Sequence, residues 1–251
     1  MTESAVIVNH LSKQYGKNSL AIQDISFTAA AGEILGLLGP NGAGKTTTIR
    51  VLSTVLSPTS GEAHICGCDI RTEAEAVRRK IGVLTTDVGA YERFTGRENL
   101  AYFGTLYGLT SSRLSDRIME LAQLLDMEAF IDKKAGTYST GMKQKLAIAR
   151  SVIHDPEVVI FDEPTAGLDV LASQTVLSYM QKACELGKCV IFSTHQMLDA
   201  EKLCQRVAII HGGKLIAFDT VSALKETTGG KDLEEVFLSL IKQNNAIGYS
   251  A

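Results

Sequence analysis

Gly39-Pro40-Asn41-Gly42-Ala43-Gly44-Lys45-Thr46-Thr47 decides the architecture of this chain. It follows an unbroken apolar run, Ile34-Leu35-Gly36-Leu37-Leu38, with the character of a buried parallel strand, and opens a helical pattern from 45 to about 56. The stretch matches G-x-x-x-x-G-K-[ST]. Its glycines let successive backbone N–H groups turn inward at a helix N-terminus, which makes a nest for an anion. In such a nest Lys45 reaches the β- and γ-phosphates of a nucleotide and the Thr46 hydroxyl ligates Mg²⁺. The backbone of Gly39, Pro40, Asn41, Gly42, Ala43, Gly44 and Thr47 lines the rest of the cradle. A glycine-rich structural turn is the plain alternative. The strand before and the helix after favour the phosphate reading.

Further along, Val158-Val159-Ile160-Phe161-Asp162-Glu163 is an apolar strand that ends in two carboxylates. Beside a phosphate loop, Asp162 is placed to hold Mg²⁺, usually through water, opposite Thr46. Glu163 points to the other side of the strand line and can polarise an attacking water. Alone, such a pair is more often the solvated start of a loop. Together with the loop at 39–47 it reads as chemistry.

The remaining patterns place these two segments. The first thirty residues alternate apolar and polar positions, with a turn at Gly16-Lys17-Asn18, so an antiparallel β region is expected. Pro58, Ser60 and Gly61 break the chain before a short strand pair around 63–70. From about 87 to 150 the periodicity is helical, carried by Leu121, Leu124, Leu125 and Phe130, and reads as a helical segment inserted into an α/β core. Strands at 158–161 and at Cys189-Val190-Ile191-Phe192, with a helix over 171–186 between them, fit a βαβ unit in a parallel sheet. Beyond Gly230 one amphipathic helix carries Leu233, Val236, Phe237 and Leu240 on one face and ends in a polar tail. No internal repeat or low-complexity tract interrupts this order.

Composition limits the alternatives. With 251 residues, 45% of them hydrophobic and 21% charged, the chain can bury a sizeable core. Its net charge of -3, from 25 basic and 28 acidic residues, makes nucleic acid an unexpected partner. The longest uncharged stretch, 99–112, has 14 residues and includes glycines, too short and too polar for a membrane span. The start, MTESAVIVNH, lacks the basic-then-apolar order of a signal peptide, so no secretory leader is expected. Five scattered cysteines suit a reducing cytoplasm better than a disulfide framework. Cys66-Gly67-Cys68 lacks a second nearby pair and reads as a hairpin rather than a zinc site. His10, His64, His154 and His211 read as surface or packing residues, and Arg78-Arg79-Lys80 as a solvated helix face.

Between the loop and the carboxylates lies Tyr138-Ser139-Thr140-Gly141-Met142-Lys143-Gln144-Lys145-Leu146, which opens a helix. In isolation its serine is an ordinary N-cap. In order and spacing, however, the motifs resemble the ATP-binding cassette subunit of ABC transporters, and the resemblance covers essentially the whole chain. YSTGM looks like a variant of that family's LSGGQ signature. Glu163-Pro164-Thr165-Ala166-Gly167-Leu168-Asp169 looks like the end of its acidic strand followed by the D-loop, and Ser193-Thr194-His195 carries what looks like the switch histidine. Tyr15 looks like the aromatic that stacks on adenine.

The resemblance implies an α/β fold: a P-loop NTPase (RecA-like) core with an antiparallel β subdomain and an inserted α-helical subdomain. The cassette would span 1–230, its helical part about 87–150, and the C-terminal helix and tail 231–251. The resemblance also implies ATP and Mg²⁺ as cofactors, ATP hydrolysis by Glu163, Lys45 and His195, and a homodimer with ATP held at its interface. Ser139 and Gly141 of one copy would contact the γ-phosphate bound by the other, His195 would hydrogen-bond that phosphate, and Asp169 would link the two sites. Thr140 departs from the commoner glycine, while the neighbouring Gly141 remains. The implied partner is an integral-membrane permease, and the implied location is the cytoplasmic face of the cell membrane.

The segment 84–100, the YSTGM variant and the closing Leu233-Glu234-Glu235-Val236-Phe237 resemble the export branch that includes sodium-efflux (NatA-type) cassettes. Where most cassettes end a strand in glutamine, this one reads Ile81-Gly82-Val83-Leu84-Thr85-Thr86-Asp87. Either Asp87, or a water held by Thr86, takes over the contact on the Mg²⁺ side, or the loop serves only for coupling. The rival functions are a soluble ATPase of the same fold without a membrane partner, and a kinase or GTPase. The last lacks any guanine-reading N-K-x-D and gives YSTGM no role.

Overall fold

The computed structural model describes residues 4–16, 19–85 and 89–248, with the side chains of the last helix described to position 243. Strands β1 (Ser4–Tyr15) and β2 (Ser19–Ala30) pair antiparallel, with Val8 opposite Phe27 and Tyr15 opposite Ser19. The antiparallel region expected from the alternation is present; Lys17 and Asn18 of its turn lie outside the described residues. β3 (Ile34–Leu38) is buried throughout and leads through the glycine-rich loop into α1 (Lys45–Leu52). This helix stops short of the expected end near 56. Thr54 takes a left-handed backbone, φ 60°, and the N–H groups of Val55 and Leu56 both turn back to Arg50 O.

β4 (Ser60–Ile65) and β5 (Cys68–Asp69) form the short hairpin, followed by α2 (Ala74–Lys80) and β6 (Ile81–Leu84). The expected helical segment contains three helices, α3 (Gly96–Leu106), α4 (Ser111–Leu124) and α5 (Thr140–Ser151). A capping box starts α3: the Thr95 hydroxyl accepts from Glu98 N, and the Glu98 carboxylate accepts from Thr95 N. β7 (Val158–Asp162), α6 (Val170–Glu185) and β8 (Cys189–Thr194) make the expected βαβ unit, and α7 (Met197–Leu203) follows. Two strands that the sequence reading passed over come next, β9 (Arg206–His211) and β10 (Lys214–Thr220), joined at Gly212 and Gly213. Both glycines have positive φ, 55° and 80°, as a two-residue hairpin turn requires. α8 (Val221–Thr228) and α9 (Leu233–Gly248) end the order.

The strands lie in the order β5-β4-β1-β2-β10-β9-β3-β8-β7-β6. β9, β3, β8, β7 and β6 run parallel to one another, and β1, β2, β4 and β5 form the antiparallel wing. Alternate residues of the parallel strands feed different cores, because successive side chains leave a strand on opposite faces. Val159, Phe161, Val190 and Phe192 pack with α3 to α6. Val158, Ile160, Leu35 and Leu37 pack with α1, α2 and the antiparallel wing. A third cluster joins Leu38, Val207 and Ile209 to Leu224 of α8 and to Leu233 and Val236 of α9. The amphipathic tail is therefore docked on the core through the face expected from its sequence.

Among the described residues no helix is long and apolar enough to cross a membrane. Two histidines outside the motifs occupy the settings expected of them. His10 is exposed, with Nδ1 2.6 Å from Asp24 Oδ1. His154 is stacked on Tyr107 with ring centroids 3.8 Å apart, and burial pushes its pKa down to about 4. Arg79 on α2 pairs with Glu75 on the solvent side.

Candidate active site

The phosphate loop has a backbone that only glycine can supply at two places. Gly39 has φ 153°, and a Cβ there would sit 2.1 Å from the Ile210 carbonyl of β9. Gly44 has φ 112°, and its Cβ would come within 2.7 Å of Ala21 O. The loop is pinned to its surroundings by Ala43 N–H donating to Pro40 O at 3.1 Å and Gly213 N–H donating to Ala43 O at 3.0 Å. Residues 40–47, with Ala21 and Glu163, enclose a cavity of about 170 Å³. Every residue expected in the cradle borders it except Gly39, which anchors the loop at the end of β3.

Lys45 is only 5% exposed. Its ammonium donates to Gly39 O at 2.7 Å and to Pro40 O at 3.3 Å, and lies 3.2 Å from Glu163 Oε1. The other carboxylate oxygen, Glu163 Oε2, is 2.9 Å from His195 Nδ1. Three residues far apart in sequence therefore meet in one chain of contacts, Lys45–Glu163–His195. Parallel pairing of β3 with β8 and of β8 with β7 brings the three strand ends side by side.

Asp162, the last residue of β7, is 2% exposed. Its Oδ1 accepts from the Ser193 hydroxyl at 2.5 Å, while Oδ2 is buried with no hydrogen-bond partner among the described residues. Glu163 follows in a left-handed conformation, φ 49°, which is strained for a non-glycine residue. Its N–H donates to Ser193 Oγ at 3.0 Å and to Ser193 O at 3.2 Å. The strand ends at Asp162, so this bend, rather than the strand alternation the sequence reading relied on, directs the Glu163 carboxylate.

Ser139 and Gly141 stand elsewhere. Ser139 is the N-cap of α5, its hydroxyl accepting from Met142 N at 3.3 Å, so the ordinary capping role is filled. Both residues border a second cavity of about 560 Å³ together with Asp169, Leu171 and Lys145. That cavity and the phosphate cavity have no lining residue in common. Asp169 caps α6 through Ala172 N at 2.8 Å, and the two residues after it, Val170 and Leu171, are 83% and 82% exposed.

The comparisons with known proteins agree with this geometry. Residues 22–166 match the ABC transporter family profile. ABC transporter ATP-binding protein NatA of Bacillus subtilis is 40% identical over 87% of this chain and 89% of its own length. Nod factor export ATP-binding protein I of Paraburkholderia xenovorans is 37% identical over 94% of this chain and 78% of its own. The chain belongs to the ABC transporter ATP-binding family. A solved ATP-binding subunit of an ABC transporter superposes with a TM-score of 0.87 at 30% identity, covering 95% of this chain and all of the other. A dimeric ATP-binding cassette bound to ADP and Pi superposes with a TM-score of 0.77 at 23% identity and bears on the fold alone. The P-loop NTPase fold is thus the fold of this cassette. Like its family, the cassette binds and hydrolyses ATP, and it is a subunit of exporter-type systems.

Other expected residues fall as follows. Tyr15 ends β1, 40% exposed, with the Lys13 ammonium 5.8 Å from its ring centroid. Thr140 is an exposed residue in the first turn of α5, where a Cβ costs nothing in backbone conformation. Thr86 and Asp87 lie outside the described residues. Three features of the site escaped the sequence reading. Ser193, beneath the two carboxylates, appeared there only as part of the stretch leading to His195. Gln144 of α5 donates to Pro164 O at 2.8 Å, tying the YSTGM helix to the segment after Glu163. Finally, a cavity of about 660 Å³ adjoins the loop tip, between Pro40, Asn41 and His195 on one side and Met197, Phe237 and Leu238 on the other. The C-terminal helix therefore borders the site.

Proposed function

We propose that this cassette powers a membrane exporter as a homodimer that closes over two Mg·ATP molecules, with the roles of its residues as follows. The phosphate loop from Gly39 to Thr47 and the Lys45 ammonium hold the β- and γ-phosphates, and Tyr15 stacks on the adenine. Glu163 takes a proton from the attacking water as its oxygen bonds the γ-phosphorus and the bond to the β-phosphate oxygen breaks. His195 hydrogen-bonds the γ-phosphate. Ser139 and Gly141 meet that phosphate from the other copy, aided by the positive end of α5.

Mg²⁺ fits the donors present. Asp162 offers a buried carboxylate oxygen with no other partner among the described residues, and Thr46, which carries a hydroxyl, borders the phosphate cavity. Mg²⁺ commonly takes one or two protein ligands and completes its shell with substrate phosphates and water. When bound, it neutralises charge on the β- and γ-phosphates. Asp87, or a water held by Thr86, is proposed to supply a further contact on the Mg²⁺ side.

One observation carries the dimer: Ser139 and Gly141 line a cavity separate from the phosphate cavity, so within one copy the YSTGM segment has no nucleotide to touch. ABC ATP-binding subunits dimerise and pair with membrane permeases, which would place this chain at the cytoplasmic face of the cell membrane. Sodium is proposed as the cargo, on the resemblance of segments 84–100, 138–142 and 233–237 to sodium-efflux cassettes and on the likeness to NatA. Other relatives are named for Nod factor export and for doxorubicin resistance, the latter DrrA of Mycobacterium tuberculosis at 38% identity. The dimer is tested by sedimentation of Glu163→Gln with saturating Mg·ATP. A species of twice the monomer mass is expected, and a monomer at high concentration would overturn the reading. The cargo is tested by sodium efflux from cells expressing the cassette with its membrane subunit, compared with Lys45→Ala.

A further inference from the structure

We propose that Ser193 is a positioning residue of the hydrolytic site. Its buried hydroxyl selects which oxygen of Asp162 is left for the metal and sets how Glu163 leaves the strand. The inference rests on the roles proposed above for Asp162 and Glu163.

Ser193 has no exposed surface, and every other residue of β8 is buried too. A hydroxyl in such a place loses water and must recover that loss through hydrogen bonds, and a β-branched apolar residue would suit the strand better. The hydroxyl uses its capacity on two consecutive residues across the β7–β8 pair, where Asp162 lies opposite Ser193. An ionised carboxylate can only accept, so the single hydroxyl proton points to Asp162 Oδ1 at 2.5 Å. The lone pairs left on Oγ then accept from Glu163 N–H at 3.0 Å.

Two consequences follow. With Oδ1 held by Ser193, Oδ2 is the carboxylate oxygen without a partner among the described residues, and the carboxylate cannot rotate without giving up a short charge-assisted bond. The bond to Glu163 N–H, together with the one to Ser193 O, holds Glu163 at φ 49°. That turn is what brings its carboxylate to Lys45 and His195 instead of along the strand. Outer partners of this kind, which orient a metal-binding carboxylate without touching the metal, commonly change metal affinity or activity by about 10–100-fold when removed.

The test uses the full chain with Mn²⁺ as a paramagnetic probe in place of Mg²⁺ and a non-hydrolysable ATP analogue, reading free Mn²⁺ by electron paramagnetic resonance. Ser193→Ala is expected to weaken Mn²⁺ binding by about tenfold or more, and Ser193→Thr, which keeps the hydroxyl, to restore it to within about threefold. Asp162→Asn serves as the control for the underlying assignment. If Asp162→Asn weakens Mn²⁺ and Ser193→Ala does not, Ser193 has no positioning role and the assignment of Asp162 stands. If Asp162→Asn also leaves Mn²⁺ unchanged, the assignment itself falls. A purely structural serine would lower the melting temperature in Ser193→Ala without moving the Mn²⁺ titration. Should Ser193→Ala fail to fold, Ser193→Cys keeps the volume with a weak donor, and unaltered Mn²⁺ affinity in that variant overturns the proposal.

Discussion

Replacing Glu163 by glutamine should separate nucleotide binding from turnover, and the structure says in which direction each moves. The amide keeps the size of the side chain and removes its charge and basicity. Loss of a general base costs about 10²–10⁴ in rate, so kcat should fall at least about 100-fold. Affinity should move the other way. In the structure Glu163 Oε1 lies 3.2 Å from Lys45 Nζ, and the two side chains are 16% and 5% exposed. At that distance the gross attraction is about 5 kcal/mol at an effective dielectric of about 20, and desolvation of both ions works against it. A net competition of about 1–2 kcal/mol for the Lys45 ammonium corresponds to ATP binding roughly 5–30-fold tighter in the variant. Phosphate release at saturating Mg·ATP gives kcat, and equilibrium binding of ATP gives the dissociation constant. Near wild-type turnover would remove Glu163 from the chemistry. Weaker ATP binding in a folded variant would refute the competition between carboxylate and phosphate.

Three further outcomes test other parts of the site and fold. Lys45→Ala should weaken ATP binding by about 10–150-fold, the range of a lost charge-assisted hydrogen bond, as read by direct titration. Ser139→Arg, in the Glu163→Gln background, should keep ATP binding and stay monomeric by sedimentation, because the cation would stand where the two copies meet; loss of the cap should separately cost about 1 kcal/mol of stability. His154 has its pKa lowered from 6.5 to about 4 by burial, so the unfolded chain takes up a proton that the folded chain refuses. Its contribution is intact above about pH 6.5 and is lost as pH falls toward 4, by at most about 3 kcal/mol and less where solvent screens it. Urea unfolding at pH 7.5 and pH 4.5 should therefore show a smaller acid loss in His154→Gln than in the wild type, and equal losses would contradict the burial argument.

How much of this was legible in the sequence follows from how local each constraint is. The loop at 39–47 was legible because phosphate binding at a helix start needs glycines at fixed offsets, and the strand run before it named β3 to the residue. β7 and β8 were legible as unbroken apolar runs, the mark of strands buried on both faces, and the docking face of α9 because burial on one side imposes a helical period. The end of α1 was not, since it depends on the left-handed Thr54 and on both following N–H groups turning to Arg50 O. β9 and β10 carried strong signals, an apolar run and a Gly-Gly turn, which the reading left unused. Ser193 was hidden for a physical reason. A serine in a strand says nothing by itself, and its meaning comes from the register that sets it opposite Asp162. The same holds for Lys45 and Glu163, which sit more than a hundred positions apart and meet only through the parallel order of β3, β8 and β7.

That meeting bears on how the proposed cycle starts. Both groups proposed to grip the γ-phosphate, Lys45 and His195, have Glu163 as a neighbour in this structure, at 3.2 Å and 2.9 Å. With an ionised carboxylate accepting, His195 Nδ1 carries the proton, so a neutral ring presents Nε2 as an acceptor and cannot donate there to phosphate. A neutral ring carries one N–H, so His195 donates either to Glu163 or to the phosphate and not to both at once. Lys45 has more donors, yet it too is drawn between the loop carbonyls, the carboxylate and an incoming anion. Arrival of the γ-phosphate supplies a stronger anion to both groups and leaves the Glu163 carboxylate with fewer partners of its own. The carboxylate is relieved of these partners only when there is a phosphate to attack. The backbone bend held by Ser193 keeps Glu163 in place during this exchange, so what changes is the set of charges around the carboxylate rather than the strand that carries it.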